Sequence, residues 1–254
     1  MDRQFEGKVA LVTGGNVGLG KASAFAFARQ GAKVVISARR AEEGEQTAAM
    51  IREVGGEVTF LRADMSMRTD IETLITRTVE TYGRLDFAFN NAGVEGTPFI
   101  PTAEYSEETW DEVINVNLKG VWLCMKYEIP HMLKQKGGSI VNMSSVAGLI
   151  GSPVGSAYHA SKHGVIGLTK TAAVEYANQG LRVNAVAPAV IRTAMTERAG
   201  FHTPELEPQF TAMHPMERFG VPDEVAGVVV WLCSDAASFI TGHTLAIDGG
   251  FLAR

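Results

Sequence analysis

The stretch Lys8-Val9-Ala10-Leu11-Val12-Thr13-Gly14-Gly15-Asn16-Val17-Gly18-Leu19-Gly20 passes from a β-branched apolar run straight into a glycine-rich turn. Lys21 to Gln30 follows with helical spacing, so the order is strand, tight turn, helix. Glycines let a backbone approach a pyrophosphate, and the unpaired N–H groups and dipole at a helix start favour that anion. Gly14, Asn16, Gly18, Leu19 and Gly20 are therefore the candidate phosphate cradle. The spacing is Gly-x-x-x-Gly-x-Gly, not Gly-x-Gly-x-x-Gly. A glycine turn alone occurs in many loops; its place directly after the first strand reads as a nucleotide site.

The alternation continues outward. Lys33 to Ala38 is a second strand that ends at Arg39-Arg40. In a dinucleotide fold this tip meets the adenosine ribose, where a carboxylate bonds the 2′-hydroxyl and a cation accommodates a 2′-phosphate. Ala38 stands at the acidic position, so Arg39 and Arg40 favour NADP(H) over NAD(H). The alternative is a solvated arginine pair at a strand end. Ala41 to Val54 reads as a helix and Glu57 to Arg62 as a third strand, followed by Ala63-Asp64-Met65. Asp64 either accepts the adenine amino group or caps the next helix, Arg68 to Tyr82. Leu85 to Phe89 is a fourth strand ending in Asn90-Asn91-Ala92-Gly93.

Glu107 to Gln135 has helical periodicity interrupted by Gly120 and Pro130. Asn117 lies in its middle among Val113, Val116 and Val121, where asparagine is mildly unfavourable, so its amide is expected to tie down a bent turn. Ser139 to Met143 is the fifth strand, leading to Ser145, and Leu181 to Ala187 the sixth, ending at Pro188. Ala189 to Val221 is a proline-punctuated insertion with the character of a lid. Pro222 to Ser234 is the last substantial helix and Thr244 to Asp248 the last strand. The expectation is an α/β, doubly wound Rossmann-type sheet of about seven mainly parallel strands, with helices on both faces and residues 1–254 forming a single domain. Ligands in such sheets bind at the carboxyl ends of the strands, where the glycine turn, Arg39, Asn90, Ser145 and Pro188 all fall.

Tyr158 and Lys162 are four residues apart at the head of an apolar-striped segment, Val165, Leu168, Thr169, Ala172 and Tyr176, and so share one helix face. A phenol exchanges protons poorly near neutrality, but an adjacent ammonium favours the phenolate. With Ser145 in reach of an oxygen resting on Tyr158, the three form an acid/base centre for an alcohol or ketone. Tyr-x-x-x-Lys also occurs by chance in many helices; the surrounding chain is what singles this pair out.

The 254 residues, 46% of them hydrophobic, suffice for a large buried core, and no linker or repeat divides them. A net charge of −5 with both signs interspersed argues against nucleic acid or an anionic membrane as partner. Cys124 and Cys233 lie in apolar segments without metal-ligand spacing and read as reduced core residues, so no metal is expected. With no signal-peptide pattern and no spanning apolar run, a cytoplasmic location is expected.

These motifs, Thr13-Gly14-x-x-x-Gly18-x-Gly20, Asn90-Asn91-Ala92-Gly93, Asn117, Ser145, Tyr158-x-x-x-Lys162 and Pro188, make the whole chain resemble the short-chain dehydrogenase/reductase family. The resemblance implies a nicotinamide cofactor and hydride exchange with a ketone or secondary alcohol. It implies Tyr158 as acid/base, Ser145 as the group that polarises the substrate oxygen, and Lys162 as the partner of the nicotinamide ribose. Asn117 would hold a water of the proton relay. Cofactor contacts are implied at Asn91, Ala92, Gly93, Asp64, Met65, Pro188, Ile191 and Thr193. Ser145 rather than Ser144 has the family's spacing to the tyrosine. Two positions depart from the family's pattern: Ala189 replaces the usual glycine, and Val17 stands where many NADP-preferring members carry a basic residue. Substrate contacts are expected at Ser145, Glu95, Val146 and Val190, with Val94 and Val154 adding apolar surface for a neutral ketone or alcohol. A homotetramer is expected, from the family and from the apolar segments Trp110 to Met132 and Val225 to Cys233. A non-catalytic cofactor-binding scaffold is the alternative from another class, against which the intact Asn117, Ser145, Tyr158 and Lys162 speak.

Overall fold

The computed structural model describes residues 3–153 and 155–254. Seven strands form one sheet: β1 (Val9–Thr13), β2 (Lys33–Ala38), β3 (Val58–Arg62), β4 (Phe87–Asn90), β5 (Gly138–Met143), β6 (Leu181–Pro188) and β7 (Thr244–Ile247). Their order is β3-β2-β1-β4-β5-β6-β7, and every pairing is parallel. A parallel sheet is buried on both faces, which is why β1 is a continuous apolar run with all five residues buried.

Side chains alternate between two cores. Ala10, Val12, Val34 and Ile36 face one, with Phe27, Ile51, Val225 and Val229. Leu11 and Val35 face the other, with Ile71, Leu74, Met125 and Ile129. The first layer is supplied by α1 (Gly18–Arg29), α2 (Ala41–Glu53) and α9 (Pro222–Cys233); the second by α3 (Arg68–Tyr82), α5 (Gly120–Lys134) and α6 (Ser156–Tyr176). Strand order reverses between β1 and β4, so the crevice for a ligand opens at the carboxyl ends of these two strands.

The expected break at Gly120 and Pro130 lies elsewhere. Pro130 sits inside α5 without ending it, and α4 (Glu107–Ile114) joins α5 through a wide π turn at Asn115–Lys119. Gly120 serves close approach instead, since a Cβ there would lie 2.6 Å from the Met65 carbonyl. The 189–221 insertion carries two short helices, α7 (Ala194–Arg198) and α8 (Glu207–Ala212). Its two ends meet where Ile191 bridges Gly220.

Candidate active site

The glycine turn is built as a phosphate cradle. Gly14 and Gly18 hold φ of 63° and 53°, left-handed values that side chains disfavour, and a Cβ on Gly20 would lie 2.2 Å from the Gly14 carbonyl. Val17 precedes α1 and makes no side-chain cap, which leaves the first N–H groups of the helix without a bond from that residue. Thr13 locks the turn to the end of β4: its hydroxyl accepts from the Asn91 and Ala92 N–H groups at 3.0 and 3.1 Å, and Asn91 Nδ2 donates to its carbonyl at 2.9 Å. Free amides at the head of a twelve-residue helix fit the pyrophosphate of a dinucleotide.

At the tip of β2, Ala38 is buried and Arg39 exposed. Arg40 is already paired with Glu43 at 2.7 Å, and Glu43 also accepts from Asn16 Nδ2 at 2.9 Å. The arginine pair is thus unequal, with Arg39 the one free of this carboxylate. Asp64 does not cap α3, whose N-cap is Met67. Its carboxylate instead accepts from the Ser66 N–H and hydroxyl at 2.9 and 2.8 Å. Burial opposes ionisation there, but the Ser66 bonds and the nearby Arg39 and Arg62 together hold the carboxyl below its ordinary value. The Met65 side chain is buried in the core, and its carbonyl packs against Gly120.

The four residues expected to do chemistry converge on the ends of β4 and β5. Asn117 is buried in the π turn, and its amide is spent on Val94: Oδ1 accepts from the Val94 N–H and Nδ2 donates to the Val94 carbonyl, both at 2.8 Å. It ties down the loop after β4. Gly93 in that loop is close enough that a Cβ would lie 3.2 Å from Asn117 Oδ1 and 3.7 Å from Lys162 Nζ. Ser145 follows β5; its hydroxyl accepts from the Ala147 N–H at 3.2 Å and donates to the Pro188 carbonyl at 3.3 Å. Lys162 is buried, donates to the Met143 carbonyl at 2.9 Å and lies 5.3 Å from the centroid of the Tyr158 ring.

The expected lowering of the Tyr158 phenol by Lys162 is not what the structure shows. Burial pushes the phenol up to about 12, Glu95 adding to the rise and a hydrogen bond with Ser145 opposing it. Burial likewise lowers the Lys162 ammonium, to about 8. Desolvation disfavours the charged form of each group, and it is the largest cause of both shifts.

The remaining expectations divide. Thr193 caps α7 and brings its methyl within 3.5 Å of where a Cβ on Gly18 would stand, so the start of the insertion meets the phosphate turn. Ile191 turns its side chain into the core. Pro188 ends β6 beside Ser145, and Val146 opens the short turn after it. Val190 lines a cavity of about 170 Å³ with His214 and Asp248, one that none of Asn117, Ser145, Tyr158 and Lys162 borders. The Glu95 carboxylate, expected to face substrate, pairs with Arg198 at 2.8 Å. Val154 lies outside the described residues. Sequence reasoning missed Arg198 and Glu43; the i, i+3 spacing of Arg40 and Glu43 was a usable signal, whereas Arg198 is 103 residues from its partner.

A doubly wound sheet with a glycine phosphate turn at its switch point, and Ser145, Tyr158 and Lys162 at the neighbouring strand ends, defines a nicotinamide-dependent oxidoreductase. The family model described as Enoyl-(Acyl carrier protein) reductase matches residues 14–252. The chain is 42% identical to a 2,5-dichloro-2,5-cyclohexadiene-1,4-diol dehydrogenase of Sphingobium indicum, covering 97% of this chain and 98% of that one. It is 42% identical to a cyclohexanol dehydrogenase of an Acinetobacter species, covering 100% and 98%. The crystal structure of levodione reductase superposes with a TM-score of 0.96 at 38% identity, covering 98% of this chain and 99% of that one. The chain belongs to the short-chain dehydrogenase/reductase family, whose members here are dehydrogenases and reductases acting on alcohols and ketones.

Proposed function

We propose that this chain transfers hydride between NADP(H) and a neutral six-membered cyclic ketone or secondary alcohol, with Tyr158 as the acid/base. The observation that carries the reading is the placement of Ser145, Tyr158 and Lys162 together beside the Gly93 loop. The nicotinamide, when bound, supplies or accepts the hydride. The chain's own residues do the rest. Ser145 exchanges its long bond to Pro188 for the substrate oxygen and orients it. A phenol pushed up to about 12 is protonated at neutral pH, so Tyr158 gives its proton to the ketone oxygen in reduction and must lose it in oxidation. Lys162, held against the Met143 carbonyl, is placed to meet the nicotinamide ribose and to favour the phenolate once the site is filled. Gly14, Gly18, Leu19 and Gly20 would hold the pyrophosphate and Arg39 the 2′-phosphate.

The substrate class rests on the relatives named for cyclohexanol and a cyclohexadienediol, and on the edge-on pair of Phe99, in the loop after β4, and Phe201, in the insertion. Cyclohexanone with NADPH, and cyclohexanol with NADP+, followed at the nicotinamide absorbance, test the reading. Turnover in at least one direction is expected; none with either cofactor would contradict it.

We also infer a homotetramer, supported by exposed Trp110 and Trp122 on the α4–α5 side and by Trp231 and a fully exposed Phe239 near β7. Light scattering at micromolar concentration should give four chains; a monomer would refute it. Among the described residues no helix is long and apolar enough to cross a membrane.

A further inference from the structure

The loop after β4 is a fixed post. Val94 is held on both backbone groups by Asn117. Three residues on, the Thr97 N–H donates to the Tyr105 hydroxyl at 3.1 Å. Gly96, at φ 67°, has Tyr105 and Val113 so close that a Cβ would meet them at 2.4 and 2.8 Å. Glu95 projects from between these anchors. Its carboxylate takes two bonds from Arg198, Nε at 2.8 Å and Nη2 at 3.3 Å, the forked geometry that suits guanidinium and carboxylate.

Arg198 ends α7, whose other end, Thr193, lies against the phosphate turn. Beyond α7, Phe201 stacks edge-on to Phe99 at 6.1 Å and to Phe210 of α8 at 4.5 Å. The insertion therefore touches the cofactor cradle at one end and the Glu95–Phe99 loop at the other. The aromatic contact is buried on the Phe201 side, while the ion pair is open to solvent, with side-chain exposures of 24% and 58%. An exposed pair of this kind is worth up to about fivefold in an opening equilibrium, about 1 kcal/mol at 1.4 kcal/mol per decade. That is enough to bias a segment shut and too little to prevent its release in each turnover.

We propose that Glu95 and Arg198 form a latch that closes the 194–210 segment over Tyr158, and that Glu95 is a positioning residue for the reaction. This rests on the reading of Tyr158 as the acid/base only for its pH consequence; the closure itself does not. Glu95 lies between Gly93, where a Cβ would stand 3.7 Å from Lys162 Nζ, and Thr97, whose carbonyl lies 3.4 Å from where a Cβ on Gly155 would stand at the head of the Tyr158 helix; its charge there adds to the rise of the phenol. The latch thus joins two effects in one carboxylate: engagement of Arg198, and a field on the proton donor. The pairing also takes up the Arg198 guanidinium, which an anionic substrate would otherwise engage.

The two effects separate by mutation. Glu95→Gln, Arg198→Gln and the exchange of Glu95→Arg with Arg198→Glu are compared with the wild-type chain by hydrogen–deuterium exchange over residues 194–210, with and without NADPH. Each single variant should speed exchange there by about two- to fivefold, and the charge exchange should restore protection toward wild type. In cyclohexanol oxidation the single variants should raise KM more than they lower kcat. The rise of the oxidation rate with pH should move to lower pH in Glu95→Gln and further in the charge exchange, but not in Arg198→Gln. Unchanged protection in both single variants, or no recovery in the charge exchange, overturns the latch. Equal pH limbs in Glu95→Gln and Arg198→Gln overturn the positioning role. If the latch holds by exchange while Tyr158→Phe retains turnover, the acid/base assignment has failed and the latch has not.

Discussion

Lys162 Nζ lies 5.3 Å from the centroid of the Tyr158 ring, yet its hydrogen bond goes to the Met143 carbonyl at 2.9 Å. The ammonium is thus aimed by β5 toward the floor of the crevice and shares the phenol's enclosure without bonding it. Its cost is visible in the fall of its ionisation to about 8.

That cost gives Lys162→Met an unusual pair of outcomes. A lysine whose folded value falls from 10.5 to about 8 is held less tightly by the folded chain, so it destabilises fully below pH 8 and ceases to do so above about 10.5. Methionine keeps the stem and removes the charge. The variant should lose activity by orders of magnitude and bind NADPH at least several-fold more weakly, yet melt no lower than wild type at pH 7. Calorimetry and fluorescence titration check the two halves; unaltered NADPH affinity would refute the ribose contact.

Glu128 behaves in the opposite sense. It is buried on α5, bonded by Asn90 Nδ2 at 3.1 Å, with its Oε1 and the Asn90 Oδ1 both without partners among the described residues. Burial pushes its carboxyl up to about 8 against the pull of Asn90. A raised carboxyl binds its proton more tightly in the folded chain, so stability falls as pH rises from about 4.5 toward 8. Glu128→Gln keeps the shape without the ionisation. Relative to wild type it should gain about 1–3 kcal/mol between pH 5 and pH 8.5, or roughly 2–10 °C in melting temperature. A difference that does not change with pH would show that Glu128 is not the titrating group.

In the proposed reaction Arg39 is the residue expected to decide cofactor choice. Arg40 is shared with Glu43, whose carboxylate also sits on Asn16, so the field at this tip is weaker than two arginines suggest. A charge-assisted bond from Arg39 should still favour NADPH by about tenfold. Ala38→Asp with Arg39→Ser should turn preference toward NADH, by adding a ribose carboxylate and a repulsion for phosphate. Glu43→Gln should strengthen NADPH binding by releasing Arg40. Titration with both cofactors decides: NADH binding the wild-type chain as tightly as NADPH would make the arginines a solvated strand end.

The sheet was legible because its signals are local. Apolar runs that end in Gly14, Arg39, Asn90, Ser145 and Pro188 mark strand tips, and a parallel sheet brings all tips to one edge. The helix of Tyr158 and Lys162 was equally legible from spacing. What the residues of the site do to one another was not, because those partners are distant in sequence. Asn117 finds Val94 across 23 residues and Glu95 finds Arg198 across 103. The rise of the Tyr158 phenol depends on enclosure, a sum over the whole fold that a Tyr-x-x-x-Lys spacing does not contain. The π turn at Asn115–Lys119 was readable only as an awkward asparagine, since no residue type marks the one extra residue of such a turn.

In the proposed reaction the Tyr158 hydroxyl moves the proton while the rest of the crevice holds the reactants. Tyr158→Phe removes one oxygen and keeps the ring under which Lys162 is stationed. Cyclohexanone reduction and cyclohexanol oxidation are measured for this variant beside direct titration of NADPH. Its kcat should fall by about a hundredfold or more with NADPH affinity within about threefold of wild type; turnover within a few-fold of wild type would remove the Tyr158 hydroxyl from the reaction.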